Sequence, residues 1–216
     1  DLGGMLWGNR GGFQYRAALL DGSDQDAPQS SLRGATRVSY NWFTHETKFG
    51  DSGTYLGEER LLQIAADVDF QNDRTDPDDL MFPTLLRDYH AWAAEMFYEE
   101  PFRGKWHHTV EGAYLEREDD NINPGTDTRT IEGYYGQIGF LLPGNVGPGR
   151  LQLTVRYEEY DRERGSSLEI QKNVSYGLNF YGRAHNGKIQ FQYTNRDEEP
   201  IEIDNDEVVL SVIATF

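Results

Sequence analysis

The feature that most constrains this chain is a two-residue alternation of apolar and polar side chains that recurs along its length. The last ten residues, Glu207 to Phe216, show it clearly. Counting back in twos from Phe216 gives an unbroken apolar face, whereas the intervening positions include Ser211 and Thr215. Successive side chains of a β-strand point to opposite faces, so this pattern predicts a strand with one apolar and one more polar face.

The same alternation predicts eleven strands, separated by segments rich in Gly, Pro, Asn and Asp. Two segments also fit a helical stripe. In residues 62–71 the strict alternation favours a strand, and in residues 85–99 the neighbouring strands and the turn at Pro101–Gly104 favour one. Tight turns and long loops, which include residues 118–130 and 161–171, then alternate along the chain, except at the early connection around Gly50–Gly57. Outer-membrane barrels have short periplasmic turns and long extracellular loops, so we predict an all-β fold, an antiparallel transmembrane β-barrel.

Aromatic residues lie at both ends of the predicted apolar faces, as in the interfacial girdles of membrane barrels. At the predicted periplasmic ends they are Trp7, Phe13, Trp42, Tyr98, Trp106, Phe140, Phe180 and Phe216. At the predicted extracellular ends they are Phe70, Tyr114, Tyr134, Tyr157, Tyr176 and Tyr193. This placement favours a membrane barrel over a soluble β-sandwich binding module, which is the alternative.

Composition excludes several classes of protein. The chain has 20 Lys and Arg against 37 Asp and Glu, a net charge of −17, so it lacks the overall positive charge typical of nucleic-acid-binding proteins. Its 13 Tyr, 11 Phe and 4 Trp are too many for a disordered chain. No apolar run reaches the length of a membrane helix. The absence of Cys excludes disulfides and thiolate metal sites.

An odd number of strands has a consequence for closure. Single-chain bacterial barrels have an even number of strands, and an open sheet edge in lipid leaves backbone groups without hydrogen bonds. We therefore expect further strands to close the barrel, either from a preceding part of the polypeptide or from another chain. Asp1 is not a natural start, which fits a processed or truncated chain.

Several motifs resemble those of one family. The segment 1–8 (DLGGMLWG), then 13–16 (FQYR), 20–22 (LDG), 53–59 (GTYLGEE), 111–114 (EGAY), 133–137 (GYYGQ), 176–181 (YGLNFY) and 184–188 (AHNGK) are similar, in this order, to phosphate-selective (O/P-type) outer-membrane porins. The resemblance implies a sixteen-stranded barrel, of which residues 1–216 would be the C-terminal part of one domain. It also implies a homotrimer, in which lumen arginines and lysines pass phosphate or pyrophosphate.

The inward positions predict a pore lining of mixed charge. These candidate residues are Arg16, Arg33, Arg37, Asp67, Asp69, Glu95, His107, Glu111, Arg156, Glu158 and Lys188. A ring of bases would select anions and a ring of acids would select cations, but this set is neither. One interpretation is that the charges pair across strands. The other is that Arg16, Arg33 and Arg37 form a basic strip that guides anions.

The acidic excess concentrates in the predicted extracellular loops. One cluster comprises Asp73, Asp76, Asp78 and Asp79, and the other comprises Asp197, Glu198, Glu199, Glu202, Asp204 and Asp206. These loops could be solvated surface, or they could bind divalent cations that bridge lipopolysaccharide. We predict no catalytic residues, no cofactor and no metal centre, since His107 and His108 are adjacent and point to opposite faces of a strand.

The sequence thus predicts an outer-membrane porin for passive diffusion of small hydrophilic solutes, with anionic, phosphate-like solutes among the candidates. The alternative is a structural outer-membrane barrel that sheathes a partner protein, for example in electron transfer or secretion.

Overall fold

The described part of the chain folds into one antiparallel sheet of eleven strands, as predicted. The computed structural model describes residues 2–22, 32–46, 49, 54–75, 86–102, 106–121, 129–164, 167–182, 187–199 and 205–214. The strands are β1 (Gly3–Arg10), β2 (Phe13–Leu20), β3 (Arg33–Phe43), β4 (Leu61–Thr75), β5 (Leu86–Phe102), β6 (Trp106–Asn121), β7 (Arg129–Leu141), β8 (Arg150–Arg164), β9 (Ser167–Tyr181), β10 (Gly187–Glu199) and β11 (Glu207–Ala214). Within these ranges no helix has the length and hydropathy of a membrane span.

Both segments that also fit a helix are strands. Residues of β4 pair with β5 in an unbroken antiparallel register from Leu61 opposite Glu99 to Gln71 opposite Tyr89. Beyond Gln71 the register shifts, and pairing resumes near the start of β5. The helical stripe in residues 85–99 is therefore misleading, because hydrogen bonds to β4 and β6 satisfy the backbone of this segment.

The two faces of the sheet have opposite character. Directly paired residues share a face, so Arg16, Arg37 and Asp67, which follow one another across β2, β3 and β4, define the inner face. On this face polar side chains are buried, for example Asn41 with 0% exposure. The outer face is apolar and exposed: the exposed fractions are Val38 40%, Ile64 48%, Ile138 36% and Leu178 39%. A water-soluble sheet shows the reverse, so the outer face suits hydrocarbon and the inner face suits water.

The prediction that Trp7 faces lipid is wrong. Trp7 pairs directly with Arg16 and therefore lies on the inner face, where its ring meets the ring of Phe49 edge-on at 5.6 Å. The alternation is ambiguous in β1 because Leu6 on the opposite face is also apolar and is flanked by Gly4 and Gly8. Tertiary pairing with β2, rather than the local pattern, decides the orientation of this strand.

The connections define two ends of the sheet. The turn end carries connections 11–12, 44–60, 103–105, 142–149 and 182–186, and the loop end carries 21–32, 76–85, 122–128, 165–166 and 200–206. The predicted long loop 161–171 is wrong, because β8 continues to Arg164 and β9 begins at Ser167. Consecutive charged residues in the sequence at 161–164 remove the alternation there, yet the backbone ladder continues.

Candidate functional site: the inner face of the sheet

All eleven predicted pore-lining residues lie on the inner face by the strand register. The two-residue period accounts for this, since one correctly placed residue fixes the face of the whole strand. Whether they line a pore stays a prediction. The side-chain contacts divide them into groups with different chemistry.

The centre of the first group is Arg37, which bridges two carboxylates. Its Nη1 atom lies 2.6 Å from Oδ2 of Asp67, and its Nη2 atom lies 2.7 Å from Oε2 of Glu95. On the same strand Arg33 donates from Nε to Oδ1 of Asp69 at 2.9 Å, and its Nη2 atom pairs with the same carboxylate. Two of the three residues of the predicted basic strip are thus matched by acids on β4 and β5.

The third residue of the strip is placed differently. Arg16 pairs directly with Arg37, so two guanidinium groups share one level of the inner face. The Cζ atom of Arg16 lies 5.0 Å from the ring centroid of Phe49, which is in cation–π range. The ring of Phe49 therefore contacts both Trp7 and Arg16 at the β1–β2 side of the sheet.

A second charged group lies on β7, β8 and β9. The Nε atom of Arg156 donates to Oε2 of Glu158 at 2.7 Å, and its guanidinium stacks 3.9 Å from the ring centroid of Tyr135. Glu158 also accepts a hydrogen bond from Nδ2 of Asn173 at 2.9 Å. Each charge in this group therefore has a partner of opposite charge or a hydrogen bond.

One further inner-face ion pair, which the sequence pattern did not predict, lies nearer the loop end. Nη2 of Arg117 lies 2.8 Å from Oδ2 of Asp119, and the guanidinium is 4.9 Å from the ring of Tyr89. Asp119 lies in the predicted loop 118–130, and Arg117 borders it. Extending the two-residue count of β6 beyond Tyr114 would have placed them on the inner face.

A group of uncharged amide side chains lies on the inner face of β8, β9 and β10. We call Gln152, Asn179, Gln190 and Gln192 the amide wall. Nδ2 of Asn179 donates to Oε1 of Gln152 at 3.2 Å, and Nε2 of Gln190 donates to Oδ1 of Asn179 at 2.8 Å. At its turn-end margin Nζ of Lys188 lies 5.1 Å from the ring centroid of Tyr181. The amide wall contrasts with the charged residues of β3, β4 and β5.

The connection between β3 and β4 folds onto the inner face. We call residues 44–60 the inserted connection, of which 44–46, 49 and 54–60 are described. Leu56, only 7% exposed, forms a buried cluster with Leu141 and Tyr181, which end β7 and β9. Because Leu56 lies five residues before β4, the sheet must curve strongly to bring these strands together.

Hydrogen bonds hold the inserted connection in place. Glu99 on β5, 1% exposed, accepts from Oγ1 of Thr54 (3.1 Å) and from the backbone N–H groups of Tyr55 (2.8 Å) and Gly57 (2.5 Å). From β8, Nη1 of Arg150 donates to the carbonyl oxygen of Leu56 at 2.5 Å.

A second buried carboxylate supports the same connection. Glu46, 5% exposed, accepts from Oη of Tyr55 at 2.7 Å, and Nε2 of Gln14 on β2 donates to its backbone carbonyl. One feature of the sequence indicated this arrangement: the inserted connection is long, whereas the other connections at the turn end are shorter.

His107 lies against the inserted connection. A β-carbon added at Gly57 would be 1.9 Å from Nδ1 of His107, and Gly57 has a φ of +74°. The described residues contain no group of three or more His, Asp and Glu side chains arranged to hold a metal ion. The geometry thus assigns His107 a packing contact with the connection.

An apolar, exposed outer face and a polar, partly buried inner face define the class of protein, a β-barrel of the outer membrane with a hydrophilic interior. The family model described as phosphate-selective porin O and P matches residues 86–214, more than half of the chain. The chain belongs to this family and is therefore a protein of the bacterial outer membrane, embedded in lipid. Comparison with curated proteins and with solved structures gave no match.

Proposed function

We propose that this protein forms a water-filled channel through which small hydrophilic solutes diffuse passively across the outer membrane. The observation that carries the proposal is the inversion of polarity between the faces. Side chains such as Asn41 and Gln152 are buried on the inner face, whereas Leu178 and Ile64 are exposed on the outer face. A sheet of this kind is stable when lipid covers its outer face and water fills its interior.

Anions are included among the solutes, but the inner face supports only weak selection for them. Arg16, Arg33 and Arg37 are close to three acids, Asp67, Asp69 and Glu95, of which two bind Arg37 and one binds Arg33. An anion filter needs an uncompensated excess of positive charge. The pairing interpretation therefore has more support than the uncompensated basic strip.

Closure of the channel requires more than the described strands. Within the described residues β1 and β11 each pair on one side only. Backbone groups at such an edge cost several kcal/mol each when they face hydrocarbon without a partner. We propose that additional strands, from the same polypeptide or from another chain, pair with both edges, and that the closed barrels assemble as a homotrimer.

Lipopolysaccharide is a further proposed partner. Asp76, Asp78, Asp79, Glu202 and Asp204 of the acidic loops lie outside the described residues, as does the side chain of Asp73. In the described part, Glu199 pairs with Lys172 at 2.6 Å and Glu198 accepts from Asn205 at 3.1 Å. These contacts leave fewer carboxylates for a divalent cation that bridges lipid phosphates.

Single-channel recording in planar bilayers tests the channel. We expect stepwise conductance that rises with salt concentration, and a reversal potential close to zero in a salt gradient. A barrel occupied by a partner protein would give no conductance steps. Such a result, with the protein inserted, would favour the sheath alternative.

A further inference from the structure

A charged pair interrupts the apolar outer face at the turn end of the sheet. Nε of Arg60 lies 2.9 Å from Oε2 of Glu100, and the two side chains are 51% and 30% exposed. Glu100 follows the inward Glu99, so it lies on the outer face, where its ladder partner is His108. Tyr98 shares this face; its ring centroid is 5.8 Å from that of His108, and its hydroxyl group hydrogen-bonds to both members of the pair. These side chains form one polar cluster on the surface that meets lipid.

The backbone is strained at Phe43, whose ring belongs to the same cluster. Phe43 has a φ of +70°, which is unusual for a bulky side chain. Its ladder partner is Leu61, 2% exposed on the inner face, yet Phe43 itself is 54% exposed. The centroid of its ring lies 4.0 Å from Cζ of Arg60, which is in cation–π range. The last residue of β3 thus leaves the alternation, and its ring turns outward to hold the guanidinium group.

The cluster lies at the level of lipid headgroups. Trp42 pairs with Leu62, the partner of Tyr98, and Trp106 lies two residues before His108, so both indoles share the outer face. They are 40% and 44% exposed. Tryptophans at the strand ends of membrane barrels mark the boundary between hydrocarbon and water. The short turns of such barrels are periplasmic, and the periplasmic leaflet of the outer membrane consists of glycerophospholipids.

We propose that Arg60, Glu100, Tyr98, His108 and the ring of Phe43 form a binding site for the headgroup of one glycerophospholipid of the zwitterionic ethanolamine type. The site lies outside the lumen, so this inference goes beyond the proposed channel function and does not depend on it.

The chemistry of the cluster matches both charges of this headgroup. A guanidinium group has several N–H donors in one plane, so Arg60 can bind the lipid phosphate while its Nε atom stays on Glu100. The carboxylate of Glu100 accepts from the ammonium group of the lipid. Ile64 and Met96, paired one step further from the turn end, are 48% and 43% exposed and lie where the acyl chains would run.

The test measures lipid binding to the full-length protein in detergent by native mass spectrometry, with phosphatidylethanolamine and phosphatidylglycerol added in turn. Arg60→Gln removes the phosphate ligand. The matched control is Arg10→Gln, which removes the same charge at the turn end of the outer face, on β1 opposite Phe13. The heat-dependent gel shift shows that each variant is folded.

We expect the unmodified protein to retain one phosphatidylethanolamine and to bind it more tightly than phosphatidylglycerol. Arg60→Gln should weaken the binding of phosphatidylethanolamine by about tenfold, because a charge-assisted hydrogen bond to phosphate is lost. Arg10→Gln should bind as the unmodified protein does. Equal affinities in all three proteins, or equal losses in both variants, would overturn the site.

A third variant tests the role of the carboxylate. In Glu100→Gln the partner of the lipid ammonium is gone, so we expect phosphatidylglycerol to bind at least as tightly as phosphatidylethanolamine. An unchanged preference for phosphatidylethanolamine would contradict the assigned headgroup.

A second copy of this chain is the other occupant that could cover the cluster. In that case Arg60→Gln would dissociate the oligomer in size-exclusion chromatography and leave the affinity for phosphatidylethanolamine unchanged. This result would overturn the lipid site, and it would leave the channel function intact.

Discussion

Arg16 and Arg37 are direct partners in the β2–β3 ladder, so two positive side chains face each other on the inner side of the sheet. Like charges in this position destabilise a pair of strands. Asp67 and Glu95 offset the repulsion, because both bind Arg37 within 2.7 Å. The local arrangement is therefore a balanced network rather than a purely basic strip.

Removing the bridging residue should change ion selectivity. In Arg37→Gln the carboxylates of Asp67 and Glu95 lose the guanidinium that bridges them, so the inner face gains net negative charge. We expect the reversal potential in a salt gradient to shift towards the equilibrium potential of the cation. The control is Arg60→Gln, which removes an equal charge from an exposed residue paired with Glu100. An equal shift in both variants would show that overall charge, rather than this network, sets selectivity.

Gly57 and Gly144 provide a matched pair for testing the fit of the inserted connection. Both have positive φ, +74° and +78°, so alanine costs about 1 kcal/mol of backbone strain at either position. Only at Gly57 would the new β-carbon meet another side chain, that of His107; at Gly144 nothing lies within 4 Å. We expect Gly57→Ala to lower the melting temperature more than Gly144→Ala, measured by the heat-dependent gel shift of the folded barrel. Equal losses would mean that His107 moves away at no cost.

The two faces of β10 can be tested at adjacent positions. Phe191 pairs with Leu178 on the outer face, and Gln192 lies on the inner face opposite Gly177. An arginine on the lipid side near the middle of the membrane costs about 2–4 kcal/mol, whereas one in the lumen remains hydrated. We expect Phe191→Arg to reduce the folded fraction in lipid vesicles, and Gln192→Arg to fold at close to the normal level. Equal folding of both variants would contradict the assignment of faces.

The carboxyl group of Asp206 should titrate at low pH. It lies just before β11 and accepts hydrogen bonds from Oη of Tyr193, the backbone N–H of Arg196 (3.2 Å) and Nδ2 of Asn195 (3.1 Å). These bonds, led by that from Tyr193, lower the pKa of Asp206 below its ordinary value of 3.8. Since the folded-state pKa is depressed, its stabilising contribution is present above the unfolded pKa and is lost as pH falls through the folded value.

This titration can be followed by carbon NMR of the Asp206 carboxyl group in detergent micelles. We expect a midpoint below the ordinary pKa, and Tyr193→Phe should raise it because the largest cause of the shift is removed. An ordinary midpoint in the unmodified protein would show that the three hydrogen bonds do not form in solution.

Most of the fold could be predicted from the sequence because a strand has a period of two. One assigned residue, such as Val38, fixes the face of every other residue in its strand, and this placed all eleven candidate residues on one face. The two-residue pattern is ambiguous in β1, where Leu6 and Trp7 put apolar residues on both faces, and in residues 161–171, where charged residues follow one another in the sequence. In each case the register with a neighbouring strand supplies information that the local pattern lacks.

The candidate site could be predicted only in part. The sequence gives the charged residues of the inner face, but the pairing of Arg37 with Glu95 depends on a strand 58 residues away. The contacts of the inserted connection could not be predicted from the sequence at all. In the sequence, Glu99 and Arg150 look like any other charged residues at inward-facing strand positions. Only the curvature of the sheet brings Glu99 to Thr54 and Arg150 to Leu56.

The alternation of inward polar and outward apolar side chains also has a consequence for biogenesis. Hydrocarbon-facing residues alternate with hydrophilic ones along each strand. A segment as long as a membrane helix is therefore not apolar enough to be retained in the inner membrane during export. The nascent polypeptide can therefore cross the inner membrane and the aqueous space beyond it. Its affinity for lipid emerges only when neighbouring strands pair and all the Leu, Val and Ile side chains of one face come together.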